Sequence, residues 1–354
     1  MGSNVEPSRF EPSVLEAFTE RAFRAVGVGT QDAQAVAGLM IRSDLGGSDT
    51  HGIFRLKMYI GGLKAGKIKA EPKISVERET ANTAVVNGDS GLGHLTMSYA
   101  SNLAIEKAKK HGMSWVGVNH GNHAGPGWLW AKMALEHDMI GMYSAVASVN
   151  HVPPWGGTEL LLGTNPIAFA VPAAEEPAVV LDMATTVAAA GKVQVRAKTG
   201  EPMPEGWMID KEGNPLTDAS RYKEGYFLPI GGAKGYGLSL ILALLAGTLN
   251  GASTGKNVPA YTKSSSEPVS TGQFISMISL SAFGDVGNFK GEVDRVVDEL
   301  HSSPLMPGFD DIKVPGENSH TREQDRRANG IPLPGVLVDD LNGLASDLEI
   351  EGLS

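Results

Sequence analysis

Hydrophobic periodicity changes character once along this chain, near Lys67, and that change limits the folds open to it. Before it, apolar residues recur at helical spacing: Leu15, Phe18, Ala22 and Val26 form one stripe, and Ala33, Val36, Ala37 and Met40 a second. Ser13-Val-Leu-Glu16 has the form of a capping box opening the first helix, which Gly27 to Gly29 closes. A second helix is expected over 30–42 and a third from His51. Beyond Lys67, strands over 83–86, 115–118, 140–144, 167–171 and 179–182 alternate with other elements, including a helix over 95–110 and a hairpin-like segment over 201–216. The stretch 235–249 is a helix apolar on most faces, hence expected to be buried. The polar run 251–272, with Lys263-Ser-Ser-Ser-Glu-Pro268, reads as a mobile loop or linker. Strand character returns over 274–283, then helices over 292–301 and 336–348. Such alternation predicts an α/β fold with helical ends.

Between the second and third helices runs Ser43-Asp-Leu-Gly-Gly-Ser-Asp-Thr-His-Gly-Ile-Phe-Arg-Leu-Lys-Met-Tyr59. Read as a helix from about His51, it puts His51, Arg55 and Tyr59 at i, i+4 and i+8 on one stripe, while Ile53, Leu56 and Ile60 point to a core. A guanidinium gives a planar carboxylate two parallel hydrogen bonds, and an imidazole titrates near neutral pH. Together they suit a 2-oxo or 2-hydroxy acid. The plainer alternative is a helix whose His caps its first turn and whose Arg is solvated; both readings stay open on these residues alone.

At 354 residues the chain exceeds the usual single-core range, so two or three lobes are expected. Its formal charge of -10, without a compensating basic block, disfavours nucleic acid or an anionic membrane as partner. An anionic cofactor must then meet a local positive site. The absence of cysteine excludes disulfides, thiolate metal sites and a Cys nucleophile, and is compatible with the cytosol. The longest apolar stretch, near Leu238 to Leu249, is too short to span a bilayer, so a soluble, cytoplasmic protein is expected. Met-Gly-Ser at the start resembles a myristoylation signal, but Glu6 stands where Ser or Thr is needed. No internal repeat is found at solenoid periods.

Four motifs carry chemistry, each with a plainer reading. Gly88-Asp-Ser-Gly91-Leu-Gly93-His94 lacks the third glycine of a dinucleotide fingerprint, because Thr96 stands there, and no acidic residue follows a second strand at the required distance. Gly231-Gly-Ala-Lys234-Gly-Tyr-Gly237 opens a helix with one cation, which suits a phosphate or is a glycine-rich packing turn. Asp182, at a strand end, is a helix cap or a site residue. His120-Gly-Asn-His123 spaces two imidazoles as metal ligands, yet its glycines indicate a loop and nothing nearby completes a ligand set. His151 beside Pro153-Pro154 stays ambiguous, and His94, His111, His137, His301 and His320 read as solvated or capping.

Taken in order, Ser43-Asp44, Thr50-His51-Gly52 and Arg55, Asn122-His123-Ala-Gly125, Pro154-Trp-Gly-Gly157, Gly163-Thr-Asn-Pro166, Leu181-Asp-Met-Ala-Thr185, Gly191-Lys192, Gly232-Ala-Lys-Gly-Tyr-Gly237, Pro315-Gly-Glu317 and Gly330-Ile-Pro-Leu-Pro334 span nearly the whole chain. In these the chain resembles the type 2 malate/L-lactate dehydrogenase family, which includes ureidoglycolate and sulfolactate dehydrogenases, diketogulonate reductase and piperideine-2-carboxylate reductase. It departs from the family at Thr50, where Ser is usual, and at Ala233, where His is frequent. The resemblance implies a non-Rossmann nicotinamide-binding α/β fold with a helical terminal domain. The division expected is a helical domain of 1–76 joined by 318–354, an α/β domain of 77–117 and 270–317, and a cofactor-binding domain of 118–269.

The same resemblance implies an NAD(P)H-dependent oxidoreductase, using NAD or NADP, that interconverts a 2-oxo and a 2-hydroxy acid. His51 is expected as the proton donor with His123 as the competing acid/base, Arg55 as the carboxylate clamp, and Thr50, Tyr59, Thr164 and Asn165 around the substrate. Cofactor contacts are expected from His123, Gly125, Ser148, Asp182, Met183, Ala184, Thr185, Lys234, Gly316 and Glu317, with no metal. Arg196 and Lys198 hint at tolerance of an extra phosphate. A homodimer is implied, and the helix faces Leu15/Phe18/Ala22 and 336–348 are the surfaces expected to form it. Two alternatives remain: an NADPH-dependent reductase of a cyclic imine acid such as piperideine-2-carboxylate, and a non-catalytic or metal-dependent hydrolytic protein using the His120/His123 loop.

Overall fold

The computed structural model describes residues 8–258 and 270–353. Strand β1 (Ser8–Phe10) leads into helices α1 (Pro12–Ala25), α2 (Thr30–Leu45) and α3 (Leu56–Lys64). Strands β2 (Ser75–Glu79) and β3 (Thr83–Asn87) pair antiparallel, and α4 (Gly93–His111) carries the chain to β4 (Met113–Gly121). The short α5 (Trp128–Ala131) precedes β5 (Met139–Ala145), β6 (Ile167–Val171) and β7 (Val179–Met183). Next come α6 (Ala190–Thr199), β8 (Met208–Ile209), β9 (Tyr226–Phe227) and α7 (Ala233–Ala246). The chain closes through β10 (Thr271–Ser279), α8 (Val286–His301), α9 (Glu317–Asn329), β11 (Ile331–Leu333) and α10 (Gly335–Asp347).

Seven strands form one mixed sheet in the order β2-β3-β4-β10-β5-β6-β7, with β3 and β4 parallel and the other pairs antiparallel. Strand β10 sits between β4 and β5 although both lie far upstream in sequence. Its alternating residues serve two cores, as period-two geometry requires. Ile275 and Met277 join the cluster beneath α4 and α5, and Phe274 turns to the other side, against Ala246 of α7 and the ring of Trp115. One sheet therefore runs through both the 77–117/270–317 and the 118–269 segments that the sequence reading separates.

A distinct apolar cluster joins α1, α2 and α3 to β11 and α10, and β1 pairs antiparallel with β11. Leu15, Phe18 and Ala22 are fully buried against their own chain, in one cluster with Leu341, Leu344 and Ala345, so that stripe is not free for a second copy, whereas Val336 at the start of the 336–348 face is 71% exposed. Helix α7, expected to be buried, also leaves apolar surface uncovered, with Ile241 and Leu244 52% and 44% exposed. Only one side of that helix meets the sheet.

Smaller differences have local causes. Helix α1 starts at Pro12 with Glu11 at its N-cap, and no side-chain cap forms, so the Ser13 capping box is not used. Proline's fixed φ suits a first helical turn. The hairpin-like reading of 201–216 holds in its second half, where Ile209 bridges Pro215 antiparallel across the 210–214 turn, and β8 also pairs with the later β9. Of the polar run 251–272, residues 259–269 lie outside the described residues.

Candidate active site

The turn after α2 is built on a buried carboxylate. Asp44 is 1% exposed, and its Oδ2 accepts the Ile53 N–H at 2.8 Å. A side chain at Gly52 would collide with this carboxyl group, so glycine is what lets the turn close over it. Burial pushes the Asp44 carboxyl well above its usual range. From α9, the buried Arg326 donates to the Asp44 carbonyl and to Asp49. His51 donates its own N–H to the Ser48 carbonyl at 2.8 Å.

These bonds place His51 before the helix, not on it. A 3-10 turn spans Ile53–Arg55 and α3 begins at Leu56, so the expected i, i+4, i+8 stripe does not exist. Ile53, Leu56 and Ile60 are buried as expected, but so is Tyr59. The polar groups converge by folding: His51 and Tyr59 each reach His123, which follows β4. The two imidazoles stack with centroids 5.4 Å apart, and the Tyr59 hydroxyl lies 2.6 Å from His123 Nδ1. Thr50 Oγ1 is 3.0 Å from His51 Nδ1. Arg55 donates from Nε to the Thr50 carbonyl at 2.8 Å, orienting the guanidinium beside both rings. Crowding by protein, then the Arg55 charge, lowers His51 to about 4. Burial, then the charges of His51 and Arg55, hold His123 well below its ordinary value.

The expected cofactor residues lie on surrounding elements. Gly125 has φ +76°, and a Cβ there would approach His94 Nε2 to 3.1 Å. Asp182 is on β7, where Met183 pairs with Ile167 and runs on to the half-buried Ala184. The carboxylate of Asp182 accepts the Trp128 N–H at 3.0 Å, and protein packed around it raises its carboxyl to about 6, although the residue keeps an exposed side. Ser148 Oγ is 3.4 Å from Thr271 Oγ1. Lys234, exposed at the start of α7, has no ion-pair partner among the described residues. Gly231 beside it has φ +58° and open space where a Cβ would stand, while Trp155, 59% exposed, lines Gly232. Gly316, at φ +107°, fits against the backbone of Val180, and Glu317 lies 2.7 Å from His301 Nε2. A cation with no ion-pair partner among the described residues, an open glycine turn at a helix start and a carboxylate with protein packed around it fit a dinucleotide.

Other expected residues are occupied. Asn165 is fully buried: its Oδ1 accepts the Ala147 N–H, and its Nδ2 donates to Ser239. Its amide ties the segment after β5 to α7. Thr185 is likewise buried, and gives both its N–H and its hydroxyl to the Thr164 carbonyl. The side chain of Thr164 stays half-buried at the site's edge. Arg196 is held by the Pro202 carbonyl and Glu201, and Lys198 sits over the Phe54 ring. Gly191, opening α6, lies so close to Thr50 that a Cβ would be 2.8 Å from it.

The remaining motifs resolve by packing. Gly93 starts α4 where any side chain would strike the carbonyls of Asn122 and His123, so that glycine run serves close helix packing beneath the site. His120 is exposed with φ +44° and pairs with Asn119, away from His123. No group of three or more His, Asp or Glu gathers as a metal site among the described residues. His94 is not solvated: it is fully buried, edge-on to Tyr59 and near Trp130, with both ring nitrogens unpartnered among the described residues. The sequence reading also passed over Trp128 and Ser48, whose side chains bond at 2.9 Å. The proximity of Trp128 to His123 in sequence, in a chain only 6% aromatic, was the available signal.

Residues 10–342 match the family model described as malate/L-lactate dehydrogenase. A malate dehydrogenase of Pyrococcus horikoshii is 38% identical, covering 96% of this chain and 95% of its own. An L-sulfolactate dehydrogenase of Methanothermobacter thermautotrophicus is 36% identical, with 97% and 98% covered. The crystal structure of malate dehydrogenase from Entamoeba histolytica superposes with a TM-score of 0.93 at 30% identity, over 98% of this chain and 99% of that one.

Proposed function

The chain belongs to the malate/L-lactate dehydrogenase family, and from that premise we propose that it interconverts a 2-oxo acid with the matching 2-hydroxy acid. It is an NAD(P)-dependent dehydrogenase. The observation that carries the substrate reading is the convergence of Arg55, His51 and His123 in one half-buried cluster.

Asp182, Met183, Ala184, Gly125, Ser148, Lys234, Gly316 and Glu317 would hold the nicotinamide cofactor, with Lys234 at its phosphates. When bound, it supplies or accepts a hydride at C2 of the substrate. Arg55 clamps the carboxylate and sets the approach geometry. His51 Nε2 accepts the C2 hydroxyl proton in oxidation and returns it in reduction. Thr50 fixes the His51 ring, and Tyr59 fixes that of His123.

The low proton affinity of His51 gives this cycle a direction. With the site open, both histidines are neutral at pH 7, the form that accepts a proton. A substrate carboxylate on Arg55 cancels part of the charge that depresses His51, so binding an oxo acid raises its proton affinity when a donor is needed.

Reduced nicotinamide absorbance, followed with NADH and NADPH against a panel of 2-oxo acids and a cyclic imine acid, with and without chelator, tests this reading. Turnover of oxo acids that resists chelation supports it. Turnover of the imine alone replaces the substrate class, and loss on chelation removes the metal-free mechanism. The reading includes a homodimer, for which the uncovered Ile241 and Leu244 offer apolar surface. A monomer mass by light scattering at micromolar concentration would remove that part.

A further inference from the structure

We propose that Trp128 is a positioning residue that joins the cofactor carboxylate Asp182 to the turn carrying His51, so that cofactor and substrate bind with positive coupling. This rests on the assignment of Asp182 to the cofactor and Arg55 to the substrate made above. Trp128 opens α5 and is 7% exposed. Its backbone N–H donates to Asp182 Oδ2 at 3.0 Å, and its indole Nε1–H donates to Ser48 Oγ at 2.9 Å. The carbonyl of the same Ser48 accepts the His51 N–H at 2.8 Å. Three hydrogen bonds thus run without interruption from a residue of β7 to the imidazole-bearing turn.

The ring between these bonds is rigidly seated. A Cβ at Gly46 would stand 2.6 Å from Trp128 Cζ2, so the indole lies directly on the backbone at the end of α2. The Lys132 ammonium lies 5.1 Å from its centroid. A planar side chain held in this way cannot follow Asp182 without moving Ser48. Any ligand that fixes the Asp182 carboxylate therefore fixes the start of α5, the indole and the Ser48–His51 turn. A second ligand at Arg55 then meets a turn already ordered, and linkage makes the benefit reciprocal.

The experiment compares wild type with Trp128→Phe and Ser48→Ala. The first keeps the ring on Gly46 and the backbone bond to Asp182 but removes the indole N–H; the second removes only the acceptor. NADH affinity is read by its fluorescence, and oxamate, an unreactive analogue of a 2-oxo acid, by equilibrium dialysis with and without saturating NADH. Wild type should bind oxamate about tenfold tighter with NADH present, within the usual range of coupling between two sites. Each variant should lose most of that factor while its Kd for NADH alone stays within about twofold, and the double variant should lose no more than either single one. Variants that retain the full factor overturn the inference and leave the proposed function standing. A wild type that binds neither NADH nor oxamate overturns both. Ser48→Ala, which leaves the core untouched, decides the matter if Trp128→Phe fails to fold.

Discussion

The imidazole of His51 lies over that of His123, with 21° between their planes, while their Nδ1 atoms are engaged by different hydroxyls, Thr50 for one and Tyr59 for the other. Two like groups so close cannot both carry charge beside Arg55, and a charge on His51 lowers the proton affinity of His123. With saturating cofactor, the rate of hydroxy-acid oxidation should then stay level in kcat/KM across neutral pH and fall as His51 takes a proton near pH 4. A kcat/KM profile whose acid limb lies at 6.5 or above in both wild type and Asp182→Asn would contradict the depressed histidine.

Replacing the proton carrier separates the two rings. His51→Ala should lower turnover by roughly 10²–10⁴-fold with cofactor affinity intact, as for other positioned acid/base groups. His123→Ala should be the milder change. If His123→Ala abolishes turnover and His51→Ala is mild, the roles are exchanged.

Arg55 acts through a planar fork, so a point charge should not replace it. Arg55→Lys should lose about tenfold or more in kcat/KM on a 2-oxo acid, about 1.4 kcal/mol of transition-state stabilisation, with cofactor binding unchanged. On an aldehyde without the carboxylate the loss should nearly vanish. Equal losses on both substrates would mean that Arg55 serves chiefly to hold the Thr50 carbonyl.

Lys234 brings a positive charge to an open glycine turn and makes no ion pair among the described residues. Lys234→Ala should therefore weaken NADH or NADPH binding by about tenfold, as expected for one charged hydrogen bond, without altering the order of preference among oxo acids. Unchanged cofactor affinity, measured by fluorescence titration, would move the phosphate site elsewhere.

Asp182 is costly to the fold. Its carboxyl holds a proton more tightly in the folded chain, at about 6, than at its ordinary value of 3.8. Stability from this group is therefore present below pH 3.8 and lost as pH rises through about 6. The full difference corresponds to about 3 kcal/mol, and solvent at the exposed side of the residue reduces it to about 1 kcal/mol. Asp182→Asn should raise Tm by about 2 °C at pH 7, leave it unchanged near pH 3.5, and weaken the cofactor. A lower Tm at pH 7 would mean that the bond to Trp128 outweighs desolvation.

Much of the fold is legible where periodicity is local. Strand β6 has the bounds read from its apolar run, and α2, α4 and α10 follow their stripes to within a few residues. The place of β10 is not legible in this way, because strand neighbours depend on contacts closed across more than a hundred residues. In the site, residue chemistry alone brings out Arg55 and His51. His123 needed the family resemblance, and Trp128 shows itself only once Asp182 and Ser48 lie on either side of it. The role expected of Asn165 came from the resemblance alone, and the partners that engage its amide, 18 and 74 residues away, are not legible in the sequence.

The insertion of β10 between β4 and β5 also sets when the molecule can become an enzyme. His123 belongs to the half-sheet ending at β4, and Asp182 to the half-sheet that starts at β5. Until residues 271–279 have been synthesised and have paired on both sides, each half presents an unpaired apolar edge, a template for association between chains. A nascent chain that stops short of β10 therefore has the proposed catalytic side chains and Asp182 but lacks the strand that joins the two halves of the sheet carrying His123 and Asp182. Binding competence should arrive late and all at once during refolding, tracking protection of the β10 amides in pulse-labelled hydrogen exchange, and cofactor binding that precedes this protection would disprove it.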